Sequence, residues 1–165
     1  MSVSFINKLF KSKSNDDFCT AVVLAAGNSQ RMGKDKILMP LGGAPVIAHT
    51  LKALQSAECI DEIVVVTKYE RLQELADICH DHGISKASKV VVGGKTRLES
   101  SLIGVSNADE RAKYTAIHDG ARPFVTNSLI ERVVHSAHQH GASAPAVSAT
   151  DTCLLYTSDA ADDLI

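Results

Sequence analysis

From Cys19 onward the chain alternates short apolar runs with segments whose apolar residues recur every three or four positions. Ala21 to Ala26 (AVVLAA) forms a first strand that breaks at Gly27. Behind Pro45, a residue suited to a helix start, Ile47, Leu51 and Leu54 fall on one helical face. Glu62 to Thr67 (EIVVVT) is a second strand. Leu72, Leu75, Ala76 and Cys79 give the i, i+3, i+4, i+7 stripe of a helix that Gly83 closes. Lys89 to Val92 is the third strand, and the helix after it presents Leu98, Leu102 and Val105 as its buried stripe. Tyr114 to His118 is the fourth strand. Asn127 or Ser128 caps a further helix that buries Ile130, Val133, Val134 and Ala137 and stops at Gly141. Ala142 to Ser148 reads as a fifth strand. Apolar strands separated by amphipathic helices predict an α/β fold, a mainly parallel sheet with right-handed crossovers and helices on both faces.

The pattern does not extend to the start of the chain. Within residues 1–18, Phe5, Ile6, Leu9 and Phe10 alternate with Lys8, Lys11 and Lys13, and no continuous apolar core of a secretory signal is present. These residues read as an N-terminal extension, and residues 19–152 as one domain. Composition changes this picture little: 45% hydrophobic residues, 22% charged residues and a formal net charge of −2 carry no basic excess that would advertise nucleic acid. No apolar run reaches membrane-spanning length. Cys19, Cys59, Cys79 and Cys153 show neither C-x-x-C nor metal-ligand spacing, so they read as thiols of a reducing, cytoplasmic compartment. His80 with His82, and His135 with His138 and His140, fall on or beside helix surfaces and read as solvated side chains.

The strand order converts scattered polar residues into one candidate site. Gly27 follows the first strand, Gly93-Gly94 the third, Asp119 the fourth and Asp151 the fifth. Parallel strands point their carboxyl ends the same way, and ligands of open α/β sheets bind at that edge. The stretch from Ala21 to Gly43 is the richest part. Its small residues and Gly27 permit close approach to backbone, and Arg31, Lys34 and Lys36 supply countercharge for a polyphosphate. It is not a dinucleotide fingerprint, because Ser29 stands where the second glycine of G-x-G-x-x-G belongs. Gly94-Lys95-Thr96 imitates the end of a P-loop, but Lys89 occupies the position of its first glycine. His118 neighbours Asp119 on the opposite face of a strand and reads as structural.

Leu24-Ala25-Ala26-Gly27, Arg31-Met32-Gly33, Lys36 and Pro40-Leu41-Gly42-Gly43 resemble the signature loop of sugar-phosphate nucleotidyltransferases. With Gly93-Gly94-Lys95-Thr96-Arg97-Leu98-Glu99-Ser100 and Ile117-His118-Asp119-Gly120-Ala121-Arg122-Pro123, the likeness is closest to the 2-C-methyl-D-erythritol 4-phosphate cytidylyltransferase family. It covers Cys19 to Thr152 and implies the Rossmann-like nucleotidyltransferase fold.

The resemblance implies attack by a sugar-alcohol phosphate on the α-phosphorus of CTP with release of pyrophosphate. It places Arg31 and Lys36 as stabilisers of the transition state, with Lys34 as the alternative second cation. Ala25, Ala26 and Gly27 then offer backbone to the nucleotide, and Gly94, Lys95, Ser100 and Gly120 help hold it; Ser100 alternatively caps or packs its helix. Asp119 is a hard carboxylate suited to Mg²⁺, and Arg122 fixes the turn around it. Lys36-Ile37 departs from the Lys-Gln pair usual in the family. Ala149-Thr150-Asp151-Thr152 resembles the family's Asp-Thr element, after which residues 153–165 resemble nothing in it and read as an atypical tail, either foreign or genuinely divergent. A related acceptor such as ribitol phosphate or the molybdenum cofactor stays open. The family's projecting β-arm, which makes a homodimer, and its acceptor-gripping arginine and lysine are not found, so a mostly monomeric chain that binds CTP weakly and turns over negligibly is expected.

Overall fold

The structure, a computed structural model, describes residues 17–27 and 35–148; Arg31, Lys34, Asp151 and the segments 1–16 and 149–165 lie outside the described residues. The main sheet has four parallel strands: β1 (Cys19–Leu24), β4 (Glu62–Thr67), β5 (Ala87–Val92) and β6 (Tyr114–Asp119), in the order β5-β4-β1-β6. A small antiparallel pair, β2 (Pro40–Leu41) and β3 (Ala44–Pro45), turns through Gly42 and Gly43 at φ 55° and 89°. Two successive left-handed residues suit the tight hairpin turn that glycine makes without steric cost. His49 Nε2 lies 2.7 Å from the Leu41 carbonyl and ties this hairpin to the first helix.

β1 and β4 are buried along almost their whole length, which is why each reads as a continuous apolar run. One face of the sheet carries Ala21, Val23, Ile63 and Val65, packed with Ile47, Leu51 and Leu54 of α1 (Val46–Ser56), Leu75 and Cys79 of α2 (Leu72–Asp81), and Ile130 and Val134 of α4 (Asn127–His140). The other face presents Val22, Val64 and Val66 to α3 (Arg97–Ser106). Burial pushes the Cys79 thiol up to about 11, leaving it protonated and unreactive at neutral pH.

Three expectations are corrected. Residues 142–148 are exposed and form no strand, so the expected fifth strand is absent from the described residues. Leu98, Leu102 and Val105 are 69%, 57% and 41% exposed, and α3 instead buries Ser100, Ser101 and Gly104. The reason is proximity: a Cβ built on Gly104 would stand 2.2 Å from Val22 Cγ1. Only a small-residue face lets this helix lie so close to the sheet, and the large apolar residues are left outward. The cap of α4 is Thr126, whose hydroxyl accepts from the Leu129 amide, rather than Asn127 or Ser128. Gly83 and Gly141 do follow their helices at φ 65° and 84°, as helix-ending glycines do.

The amino-terminal edge of the sheet is tied by Glu62. Its buried carboxylate accepts from Thr20 Oγ1 at 2.7 Å, the Asp109 amide at 2.8 Å and the Ser88 hydroxyl, joining β1, β5 and the loop before β6. Burial pushes its pKa up, but the hydrogen bonds from Ser88, Thr20 and Asp109, with Lys89 nearby, outweigh it and hold the carboxyl below its ordinary value. A carboxyl with a lowered folded pKa contributes stability that is present above the unfolded value near 4.5 and is lost as the pH falls through the folded one. Glu62→Ala should therefore cost about 2–3 kcal/mol in urea unfolding at pH 7, because buried donors lose their acceptor. The gap from wild type should narrow below pH 4.5. Equal midpoints at pH 7 would show that this carboxylate does not tie the edge.

Candidate active site at the carboxyl edge of the sheet

Strand order locates the site. From β1 the chain moves outward to β4 and β5, then returns to the far side of β1 as β6. The direction of winding reverses between β1 and β6, the kind of switch point outside which ligands of open α/β sheets bind. Ala25, Ala26 and Gly27 leave β1 there, and Asp119 with Gly120 leaves β6. The Gly120 amide donates to the Leu24 carbonyl at 2.9 Å, prolonging the pairing of the two strands to the rim. The Gly120 carbonyl accepts from buried Thr50 Oγ1 at 2.9 Å, so α1 fixes the same turn from below.

The Gly93-Gly94 loop leaves β5 and leans across β4 towards the end of β1. Its Gly93 amide donates to the Thr67 carbonyl at 2.7 Å. A Cβ on Gly93 would lie 2.8 Å from Ser100 Oγ, 2.9 Å from Ala26 Cβ and 3.0 Å from Val66 Cγ1. The loops after β1 and β5 thus touch, and glycine is what allows the contact. Ser100 is buried and accepts from the Gly94 amide at 3.1 Å, so its described role is to clasp the loop. The amides of Lys95 and Thr96 both donate to Glu99 Oε2, at 2.6 and 3.3 Å, while the Glu99 amide donates to Thr96 Oγ1 at 3.1 Å. This capping box answers the amides that a P-loop would turn towards phosphate. The Lys95 side chain remains exposed at the rim.

Asp119 stands at the tip of β6 between two guanidinium groups. Arg97 Nη2 donates to its Oδ1 at 2.9 Å, and Arg122 Nη2 pairs with its Oδ2 at 2.9 Å. Partial burial pushes the Asp119 pKa up, but the Arg97 hydrogen bond and the charges of Arg122, Arg97 and His118 outweigh it and hold the carboxyl below its ordinary value. The carboxylate is therefore ionised at neutral pH. On the opposite face of β6, burial pushes the His118 pKa down.

Of the residues that the sequence assigns to the site, Ala25, Ala26, Gly27, Gly94, Lys95, Ser100, Asp119 and Gly120 gather at this edge. Lys36 begins a one-turn 3-10 helix, Lys36–Leu38, and is exposed. Asp35 caps that turn and pairs with Arg71 at 2.7 Å, and buried Ile37 seats it in the core. Arg31, Lys34 and Asp151 lie outside the described residues. Sequence reasoning gave no role to Arg97, Thr50 or Glu99. Thr96-x-x-Glu99 has the spacing of a capping box and could have been read; the Arg97–Asp119 and Thr50–Gly120 contacts, 22 and 70 residues apart, carry no local signal. A groove of about 680 Å³ between α2 and β5 has a mixed lining, with Ala76, Cys79, Ile84 and Val90 beside Gln73 and Lys89. The rim between β1 and β6 instead gathers charge, in Asp119, Arg97 and Arg122, with Lys95 exposed on the loop after β5.

A doubly wound parallel sheet with small-residue and diglycine loops and an arginine-flanked aspartate at its switch point has the architecture of an α/β nucleotidyltransferase. The chain belongs to the 2-C-methyl-D-erythritol 4-phosphate cytidylyltransferase family, which it matches over residues 19–162. It is 36% identical over 135 residues to the protein of that name from Clostridium botulinum, covering 81% of this chain and 59% of that one. The corresponding protein of Prosthecochloris aestuarii is 35% identical over 151 residues, covering 84% of this chain and 62% of that one. A solved structure of 4-diphosphocytidyl-2C-methyl-D-erythritol synthase from Anaerococcus prevotii is similar at a TM-score of 0.65 and 26% identity, over 76% of this chain and 52% of that one. The chain thus spans about three fifths of the length of the curated relatives it matches.

The close contact at Gly93 generates a test of this geometry. Gly93→Ala should lower the thermal midpoint and cost about 1–3 kcal/mol of stability, because Ala26, Val66 and Ser100 cannot all withdraw. Gly27→Ala, where an added Cβ meets nothing within 4 Å, should unfold like wild type. Equal midpoints for Gly93→Ala and wild type would show that the two loops do not pack as described.

Proposed function

We propose that this chain provides the nucleotide half of a cytidylyltransferase that couples CTP to 2-C-methyl-D-erythritol 4-phosphate and releases pyrophosphate. The observation that carries this reading is the meeting of Ala25–Gly27, Gly93–Gly94 and an ionised Asp119 at one switch point, in a chain of this family. Backbone at Ala25, Ala26 and Gly27 and the rim formed by Gly94, Lys95 and Gly120 hold the nucleotide. Ser100 contributes from behind by fixing Gly94. Arg31 and Lys36 neutralise the triphosphate, with Lys34 as the alternative to Lys36.

A phosphate monoester has a second pKa near ~6, so the incoming nucleophile is mostly dianionic at neutral pH and needs no protein base. The work left to the protein is to bring two anions into line and to answer the charge that develops on the α-phosphate and the leaving pyrophosphate. Cationic side chains on loops anchored to a rigid sheet perform it. Asp119 offers one hard carboxylate, and the described residues contain no cluster of three or more His, Cys, Asp or Glu side chains that could cage a metal. Both Asp119 oxygens are paired with Arg97 and Arg122, so Asp119 would hold a divalent cation only together with substrate phosphates, the usual mode for Mg²⁺. When bound, such a cation supplies further neutralisation of phosphate charge. No described helix is long and apolar enough to cross a membrane. A cytoplasmic setting accords with the spacing of the cysteines, which forms neither C-x-x-C nor a metal-ligand pattern.

Calorimetric titration with CTP and CMP tests the nucleotide half. Arg31→Ala and Lys36→Ala should each weaken CTP binding by about 1.5–3 kcal/mol while changing CMP binding much less. Equal losses for the two nucleotides would remove these cations from the β- and γ-phosphates. Pyrophosphate release with methylerythritol phosphate, ribitol phosphate and no acceptor then tests the reaction. Release with ribitol phosphate alone would reassign the acceptor.

A further inference from the structure

We propose that Arg71 is a positioning residue for Lys36: by holding Asp35 at the carboxyl edge of the sheet, it sets the turn that presents Lys36 to the nucleotide. The inference rests on the reading of Lys36 as a cation for the triphosphate and adds to it a residue from the loop of another strand. Asp35 lies in the segment after β1, and Arg71 lies in the segment after β4. The two strands are parallel neighbours, so both residues fall at the same edge.

Asp35 has two tasks and one oxygen for each. Its Oδ1 accepts from the Ile37 amide at 3.3 Å and caps the 3-10 turn Lys36–Leu38. Its Oδ2 pairs with Arg71 Nη2 at 2.7 Å. A capping side chain fixes where a turn begins, and Lys36 is the first residue of this one. After Lys36 the turn is seated by buried Ile37 and by the Met39 carbonyl, which accepts from the Val46 amide at 3.0 Å. Lys36 thus stands between an apolar anchor behind it and an ionic anchor in front.

Arg71 is itself firmly rooted. It ends the 3-10 turn Tyr69–Arg71, its amide donates to the Lys68 carbonyl at 3.0 Å, and it leads directly into α2, which buries Leu75 and Cys79. Its side chain is 24% exposed and that of Asp35 16%, against 66% and 72% for Arg97 and Arg122 around Asp119. Water therefore competes less for this pair, and it fixes geometry more firmly than a surface pair does. Arg71 Nη1 is buried without a hydrogen bond, 4.0 Å from Glu74 Oε2. An unmatched buried donor is a cost to the fold, and local rules are broken in this way at functional positions.

Charge gives the pair a second effect. A carboxylate beside Lys36 would repel an incoming polyphosphate and compete for the ammonium group. The Arg71 guanidinium answers that carboxylate, so the loop keeps its cap without opposing the nucleotide.

The test is a double-mutant cycle on the 165-residue chain, read by calorimetric titration with CTP and with CMP. Arg71→Gln should weaken CTP binding about fivefold, within the range of coupling for residues of one ion-pair network, and leave CMP binding unchanged. In a Lys36→Ala background the same substitution should cost nothing further, because Arg71 acts through Lys36. Arg71→Lys keeps the charge without the fork and should lose less, and it carries the test where the glutamine variant fails to fold. Equal losses for CTP and CMP would reduce Arg71 to a support of the fold and overturn the inference. A further CTP loss in the Lys36→Ala background would make Arg71 a direct phosphate contact and overturn it as well. Wild-type CTP binding by both Arg71 variants, with Lys36→Ala still selectively impaired, would remove Arg71 and leave Lys36 in place. If Lys36→Ala fails to separate CTP from CMP, the reading of Lys36 falls and this inference falls with it.

Discussion

The site depends on the central position of β1, paired on one side with β4 and on the other with β6. Neither face of this strand meets water, so its six residues must be small or apolar throughout. Its carboxyl end is then the one place where loops from both windings of the sheet converge. Ala26 beneath Gly93, and Leu24 accepting from Gly120, are the contacts through which that convergence becomes a surface. A larger residue at Gly93 would part the loops after β1 and β5.

Charge is distributed in the same sense. The chain as a whole is slightly acidic, yet the rim holds Arg97 and Arg122 around one carboxylate, with Lys95 exposed beside them. At the opposite end of the strands, Glu62 performs a different task with a similar group. It is buried and satisfied by neutral donors, and it ties strands together. The two carboxylates show how environment divides roles. The one enclosed by hydroxyls and an amide ties strands together, and the one at the rim is held by two exposed guanidinium groups.

Much of this was legible in the sequence. The four parallel strands and the four helices follow from apolar runs and helical spacing, and the carboxyl-edge argument brings Gly27, Gly93-Gly94 and Asp119 together before any coordinates. Where the reading failed, the cause is physical. On α3 two stripes share helical spacing, and the choice of the bulkier one, Leu98-Leu102-Val105, ignored how closely Gly104 must approach Val22. Residues 142–148 are apolar enough for a strand, but a strand needs a partner, and none pairs with them among the described residues. Thr126 outcompeted its neighbours as a cap through the position of its hydroxyl, which composition does not reveal. The pairing of Arg97 with Asp119 is a tertiary contact between two loops, beyond the reach of any local pattern.

The central claim is that nucleotide binds at the carboxyl edge between β1 and β6. An amide chemical-shift map of the isotope-labelled chain titrated with CTP and Mg²⁺ tests it most directly. Shifts should concentrate at Ala25 to Gly27, Gly93 to Lys95 and Asp119 to Arg122, with the strand interiors unmoved. Shifts confined to α2 and β5, around the groove lined by Ala76, Cys79 and Val90, would place the ligand elsewhere and contradict the account.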